Sequence, residues 1–279
     1  NGDEISCRFY VMATGCLSNA QVPKIPGLEG FQGRWYHTGF WPKEGVDFTG
    51  QRVGIIGTGS TGIQAIPVVA RQAAHLTVFQ RTPNYSIPLR NGPLADEADQ
   101  AVKGRYQAVR QQARTSPSGV AGFPVPTRGV LETPPEEVQA AFEARWNFGG
   151  ISFTRAFNDV LFKQQANDVA REFAVSRMLA PVRDPALRAK LTPTYPIGTK
   201  RLCADTGYFE TYNRDNVTLV DLKADPIEAI TPTGIRTKDT QHELDAIIFA
   251  TGFDAITGAL LSVNMRVKGG SDLRSAWAQ

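Results

Sequence analysis

The rhythm of hydrophobic and polar positions changes along the chain, and each change predicts an element. Residues 7–13 (Cys-Arg-Phe-Tyr-Val-Met-Ala) read as a strand stopped by Thr14-Gly15. Pro23, Pro26, Gly27 and Gly30 mark a linker. Residues 52–56 are a short apolar strand, 60–72 carry apolar positions at helical spacing, and 76–80 are a second strand. Strand, turn, helix and strand follow one another within about thirty residues, the length of a βαβ unit. From about Asn91 the texture shifts. Residues 95–115 and 134–190 are rich in Ala, Glu, Gln, Arg and Lys with apolar residues at helical spacing, broken by a Pro/Gly loop over 117–126. Beyond them, 218–222, 227–230, 234–237 and 243–250 read as short strands. The fold class is therefore α/β, a Rossmann-like dinucleotide-binding unit carrying a helical insertion.

The βαβ unit holds Gly57-Thr58-Gly59-Ser60-Thr61-Gly62 between its first strand and its helix. In that context each glycine has a reason. Gly57 permits the tight turn, Gly59 lets a pyrophosphate approach the backbone, and Gly62 allows close helix–strand packing. The end of the second strand selects the cofactor. A site for NAD places Asp or Glu there, whereas this chain has Arg81-Thr82. An acidic side chain would repel a 2′-phosphate; Arg81 can hold it through two charge-assisted hydrogen bonds, and Thr82 can add a hydroxyl donor. The expected ligand is NADP(H). An echo links the two ends of the chain: Val11-Met12-Ala13-Thr14-Gly15 and Ile248-Phe249-Ala250-Thr251-Gly252 are both apolar strands ending in small residues, which let a backbone or cofactor come close.

Composition narrows the setting. Across 279 residues, 42% are hydrophobic and 20% charged, which suits an ordinary globular core. A net charge of +3 without a Lys/Arg run gives no support to nucleic-acid binding. Cys7, Cys16 and Cys203 are odd in number and lack metal-ligand spacing, so no disulfide framework and no metal site is expected, and a reducing, cytoplasmic setting is. No apolar stretch approaches the roughly 20 residues of a membrane helix. The chain lacks an initiator Met and opens on a strand already under way, which reads as a piece of a longer protein. Composition and pattern leave the oligomeric state open.

Ahead of the glycine turn, residues 31–42 fit the pattern FxGxxxHxxxWP through Phe31, Gly33, His37, Trp41 and Pro42. This resembles the signature of the Baeyer–Villiger monooxygenases, flavoenzymes that insert oxygen beside a ketone carbonyl. The resemblance extends along essentially the whole chain: Thr77 to Pro88, Lys200-Arg201-Leu202-Cys203 with Tyr212 to Val217, and Ala250-Thr251-Gly252-Phe253-Asp254 are similar to segments of cyclohexanone-type members. It implies NADPH, FAD and O2 as partners of a ketone, converted through a flavin peroxide to an ester or lactone. It implies catalysis by Arg201, which would stabilise developing negative charge. Lys200 would join Arg81 and Thr82 on the 2′-phosphate, and His37 would couple cofactor binding to domain movement. Thr14, Gly15, Thr251 and Gly252 would lie near the cofactors where the chain passes between two nucleotide domains. Phe153 and Phe157 would fall near the ketone pocket, although their spacing equally suits the core of a helix.

The resemblance also implies a division. Residues 1–25 would end an FAD-binding domain, 26–90 and 209–255 would form the two parts of the NADP-binding domain, 91–208 the helical insertion, and 256–279 a return to the FAD domain. The family carries two glycine turns and this chain one, so it is expected neither to hold FAD tightly nor to complete the oxygenation alone. Three other readings differ in their marks. A flavin monooxygenase oxidising nitrogen or sulfur lacks the Trp-Pro ending. A non-catalytic NADP(H)-binding module would begin naturally near Asn1. A plain NADP-dependent dehydrogenase would need a proton-transfer group such as a Tyr-Lys pair, and no such spacing stands out.

Overall fold

A computed structural model describes every residue except 1, 14, 117, 124, 256, 267, 268, 278 and 279. Along the chain the elements are β1 (Arg34–His37), β2 (Arg52–Ile56), α1 (Ser60–Gln72), β3 (His75–Gln80), β4 (Ser86–Pro88), α2 (Asp96–Gly104), α3 (Tyr106–Thr115), α4 (Pro135–Phe148), α5 (Gln164–Leu179), α6 (Pro185–Leu191), β5 (Cys203–Asp205), α7 (Tyr208–Thr211), β6 (Val217–Asp221), β7 (Ile227–Thr231), β8 (Gly234–Thr237), β9 (Gln241–Glu243), β10 (Ala246–Phe249), α8 (Thr257–Leu261) and α9 (Leu273–Trp277).

Five strands form a parallel sheet in the order β1-β10-β2-β3-β6. Parallel strands need cover on both faces, and the side chains alternate accordingly. Val53 and Ile55 of β2, Leu76 and Val78 of β3, and Ala246 and Ile248 of β10 point to one core, shared with α1 and the helical insertion. Ile56, Phe79, Ile247 and Phe249 point to a second core. There Ile230, Ile235 and Leu244 close over them from the antiparallel sheet β7-β8-β9. Each of these Val, Leu, Ile and Phe side chains, taken fully out of water, contributes about 1.5–3 kcal/mol.

The insertion is continuous with the first core. Phe142 on α4 sits among Phe153, Phe157 and Phe173 at ring-centroid distances of 5.2, 5.3 and 5.5 Å. In contrast, α2 and α3 bury no side chain. A small parallel pair, β4 and β5, ties the end of the insertion back to the segment after β3.

Three sequence expectations are corrected. Residues 7–13 form no strand: Phe9, Tyr10 and Val11 are exposed, and no neighbouring strand among the described residues completes a ladder with them. The single strand expected over 243–250 is two. β9 belongs to the antiparallel sheet and β10 to the parallel one, and the chain changes sheets at Leu244-Asp245. There the Leu244 N–H donates to the Thr233 carbonyl and the Asp245 N–H to that of Arg52. The Arg52 guanidinium meets the Asp245 carboxylate at 2.7 Å. Finally, the motif segment over 31–42, to which no element was assigned, contains a strand, β1, at the sheet edge.

Phe142 makes the insertion's core depend on one ring. Phe142→Ala should cost about 3–5 kcal/mol, the usual range for an aromatic core truncation, read as a lowered urea midpoint.

Candidate functional site

β2 runs out at Ile56 and the chain turns at Gly57, whose φ of 107° lies where L-residues are strained. A β-carbon on Gly57 would stand 2.6 Å from the Ala250 carbonyl oxygen, and one on Gly62 would stand 2.2 Å from that of Gly57. Both positions require hydrogen. Gly59 differs: nothing lies within 4 Å of a β-carbon built there, so its open side faces free space. Gly59 is also the N-cap of α1, and no side chain caps the helix. The first N–H groups of α1 therefore remain to be satisfied, at the positive end of the helix dipole.

A cavity of about 480 Å³ opens in front of this turn. Gly57, Thr58 and Gly59 line it together with Arg81 and Thr82 from the end of β3, Lys200, and Thr251. Ser60, Thr61 and Gly62 form the first turn of α1 beside it. Among the described residues, neither Arg81, Lys200 nor Arg201 forms an ion pair. An anion of several charges would thus meet hydroxyls and cations in the same cavity, beside the first amides of α1.

Local packing brings residues 200 and 201 there. The Cys203 N–H donates to the Tyr85 carbonyl, and β5 pairs with β4. Gln64 of α1 donates its amide to the Ala204 carbonyl, and the Ser60 hydroxyl lies 3.5 Å from the Cys203 thiol. Lys200 lies on the walls of two cavities. The second, of about 590 Å³, also carries Arg201, Phe157, Phe123, Leu161 and Phe162. Phe153 does not line it. That ring is fully buried and stacked on Phe142 and Phe173, because it sits in the 3-10 turn Gly150–Arg155 rather than on a regular helix with Phe157.

None of the motif residues lines the cavity at the glycine turn. Phe31 packs into the second core, and a β-carbon on Gly33 would strike that ring at 2.5 Å and the Asp245 carbonyl at 2.4 Å. His37 is buried at the end of β1; its Nδ1 accepts from the Gly39 N–H at 3.0 Å. Its Nε2 is buried and has no hydrogen-bond partner among the described residues. The ring meets Phe253 edge-on at 6.0 Å. Trp41 packs on Tyr36 and Phe48, and Pro42 borders a shallow hollow beside β1.

Phe253 belongs to a crossing of two segments. Ala20 and Phe253 form an antiparallel bridge, the Gln21 N–H donates to the Gly252 carbonyl, and the Thr251 hydroxyl donates to that of Gln21. Gly252 has a φ of 76° and does not line the cavity. Gly15 is exposed in the N-terminal stretch, away from it, and Thr14 lies outside the described residues.

Sequence reasoning missed Asn84, Tyr85, Tyr195 and Asp205. The Asn84 amide donates to the Thr58 carbonyl at 2.6 Å, and the Tyr195 hydroxyl donates to Asn84 at 2.7 Å. Burial, with the nearby Cys203 and Tyr85, pushes the Tyr195 phenol up to about 12, so it stays a neutral donor. Asp205 accepts from the Ser86 hydroxyl at 2.6 Å and from the Tyr208 N–H at 3.1 Å. Burial nevertheless pushes its carboxyl above the ordinary value. The one available signal was the position of Asn84, two residues after Thr82. No group of three His, Cys, Asp or Glu residues among the described ones is arranged to hold a metal. Among them too, no helix is long and apolar enough to cross a membrane.

Known proteins give a consistent comparison. No family model matches the chain. A Baeyer–Villiger monooxygenase of Pseudooceanicola batsensis is 42% identical over 282 residues, covering 100% of this chain and 51% of its own length. The structure of an oxidised steroid monooxygenase bound to NADP superposes with a TM-score of 0.93 at 49% identity, over 99% of this chain and 53% of that one. The structure of OTEMO in complex with FAD and NADP gives 0.95 at 40% identity, over 100% and 54%. The chain spans about half the length of the curated relatives it matches.

Two outcomes follow from the site's packing. Gly62→Ala forces a carbon against the Gly57 carbonyl, so it should cost about 1–3 kcal/mol, the range for overpacking, seen as a lowered Tm. For Asp205, the folded carboxyl holds its proton to higher pH than the unfolded one. Its contribution to stability is therefore complete below the unfolded value of about 3.9 and is lost as pH rises through the folded value. Asp205→Asn should flatten the decline in stability just above about pH 4, measured by urea unfolding across that range.

Proposed function

This chain is a Baeyer–Villiger monooxygenase homologue over the half of such enzymes that it spans, and from that premise we propose that it is the NADP(H)-binding half of an enzyme that converts a ketone to an ester or lactone. The observation that carries the reading is the cavity lined in common by the uncapped turn, Arg81, Thr82 and Lys200. The first amides of α1 would hold the pyrophosphate across the open side of Gly59. Arg81 and Thr82, with Lys200 beside them, would hold the 2′-phosphate. In the reaction one atom of O2 enters the product, the other leaves as water, and NADPH and a proton are consumed.

The residues present fit NADP(H). They do not fit FAD by themselves, since the single glycine turn is already engaged, so the flavin's pyrophosphate site is assigned to the rest of the enzyme. When bound there, FAD supplies the redox and oxygen chemistry. This chain's contribution is to bind and orient the nicotinamide nucleotide and to present Arg201. That guanidinium lines the second cavity with Phe157, where a cation that forms no ion pair among the described residues suits developing negative charge beside a ketone. Residues 26–90 and 209–255 form the NADP-binding domain around the insertion at 91–208. Residues 1–25 and 256–279 belong to the flavin domain, with the crossing at Gly252 between the two. His37, packed on Phe253, transmits the state of that crossing to the nucleotide sheet.

Titration with NADPH and NADH, followed by fluorescence, tests the reading. NADPH should bind at least about tenfold more tightly, roughly 1.4 kcal/mol, and Arg81→Ala should abolish the difference. A folded chain that binds both equally would remove the 2′-phosphate assignment.

A further inference from the structure

Lys200 stands far along the chain from the glycine turn, yet both line one cavity. What fixes their spacing is a short chain of contacts. The Lys200 ammonium sits over the Tyr195 ring, 4.7 Å from its centroid. The Tyr195 hydroxyl donates to the Asn84 Oδ1 at 2.7 Å, and the Asn84 amide donates to the Thr58 carbonyl at 2.6 Å. The platform is itself anchored. The Tyr85 hydroxyl donates to the Tyr195 carbonyl at 2.6 Å, with the two rings edge to face at 5.3 Å. Thr58 in turn donates its hydroxyl to the Thr82 carbonyl at 3.1 Å, joining the turn to the segment that carries Arg81.

We propose that Tyr195 and Asn84 are positioning residues that hold the Lys200 ammonium in register with the glycine turn, so that one nucleotide is read at its pyrophosphate and its 2′-phosphate together. The inference rests on the NADP(H) reading above. Tyr195 has two separable parts in this role. Its ring holds a cation that only a 2′-phosphate uses. Its hydroxyl, through Asn84, holds backbone that any dinucleotide uses.

The two parts give different signatures. Tyr195→Phe keeps the ring and loses the hydroxyl, so NADPH and NADH should weaken together, by about three- to tenfold, with their ratio unchanged. Asn84→Ala should do the same. Tyr195→Leu removes the ring as well, and the NADPH/NADH preference should also fall by about threefold or more. Lys200→Met should lower that preference, and Tyr195→Leu added to Lys200→Met should lower it no further. Circular dichroism and Tm identify variants that fail to fold, and Tyr195→Phe, the mildest change, keeps the hydroxyl's part testable. A preference that Lys200→Met lowers but Tyr195→Leu leaves intact overturns the platform while leaving the NADP(H) site standing. An unmodified chain that is folded and binds neither nucleotide overturns both.

Discussion

Everything at the glycine-turn cavity depends on backbone packed against backbone without room for a single carbon between. The Ala250 carbonyl presses on Gly57, and the Gly57 carbonyl presses on Gly62. This three-way contact joins the residue that follows β10, the turn that follows β2 and the first turn of α1. It brings the uncapped helix end against the ends of two interior strands and leaves the open side of Gly59 facing the cavity. The alternating side chains of the sheet serve that contact: one face packs α1 down, the other is sealed by the antiparallel sheet, and the strands cannot slide to relieve the pressure.

The βαβ unit was readable because its strands are apolar, its helix has a 3.6-residue period, and glycines mark the junction. Those signals are local. The errors arise where the deciding partner is distant. Residues 7–13 have a strand's composition, yet a strand exists only beside another, and none is there among the described residues. Arg34-Trp35-Tyr36-His37 lacks a strand's alternation because an edge position tolerates a half-exposed face, so only its pairing with β10 reveals it. The residues of the cavity that local pattern or resemblance marked, Arg81, Thr82 and Lys200, do converge. Asn84 and Tyr195 were invisible because their hydrogen bond joins positions 111 residues apart. Phe153 and Phe157 looked equivalent by spacing; both pack into the core around Phe142, and only Phe157 also borders the second cavity.

Lys200 is the geometric link between the two cavities. One side of its segment faces the turn that suits a dinucleotide; the other continues into Arg201 and an apolar hollow. The fold places these neighbours through β5, which is docked on α1 by Gln64 and paired with β4 by main-chain hydrogen bonds. The insertion is thus a second wall, built from a separate stretch of chain, that delivers two cations to the rim of a nucleotide fold.

The position of β10 has a consequence for how such a chain comes into being. It fills a slot between β1 and β2, yet Arg52 and its partner Asp245 are separated by 193 residues. At about 5–20 residues per second, a ribosome needs roughly 10–40 seconds to make what lies between. Throughout that interval the flanking strands exist without their centre, the Gly57 turn has nothing pressing on it, and two edges stand open. The sheet closes only when β10 arrives between β1 and β2, so the packed form of the glycine turn cannot precede the emergence of Ala250.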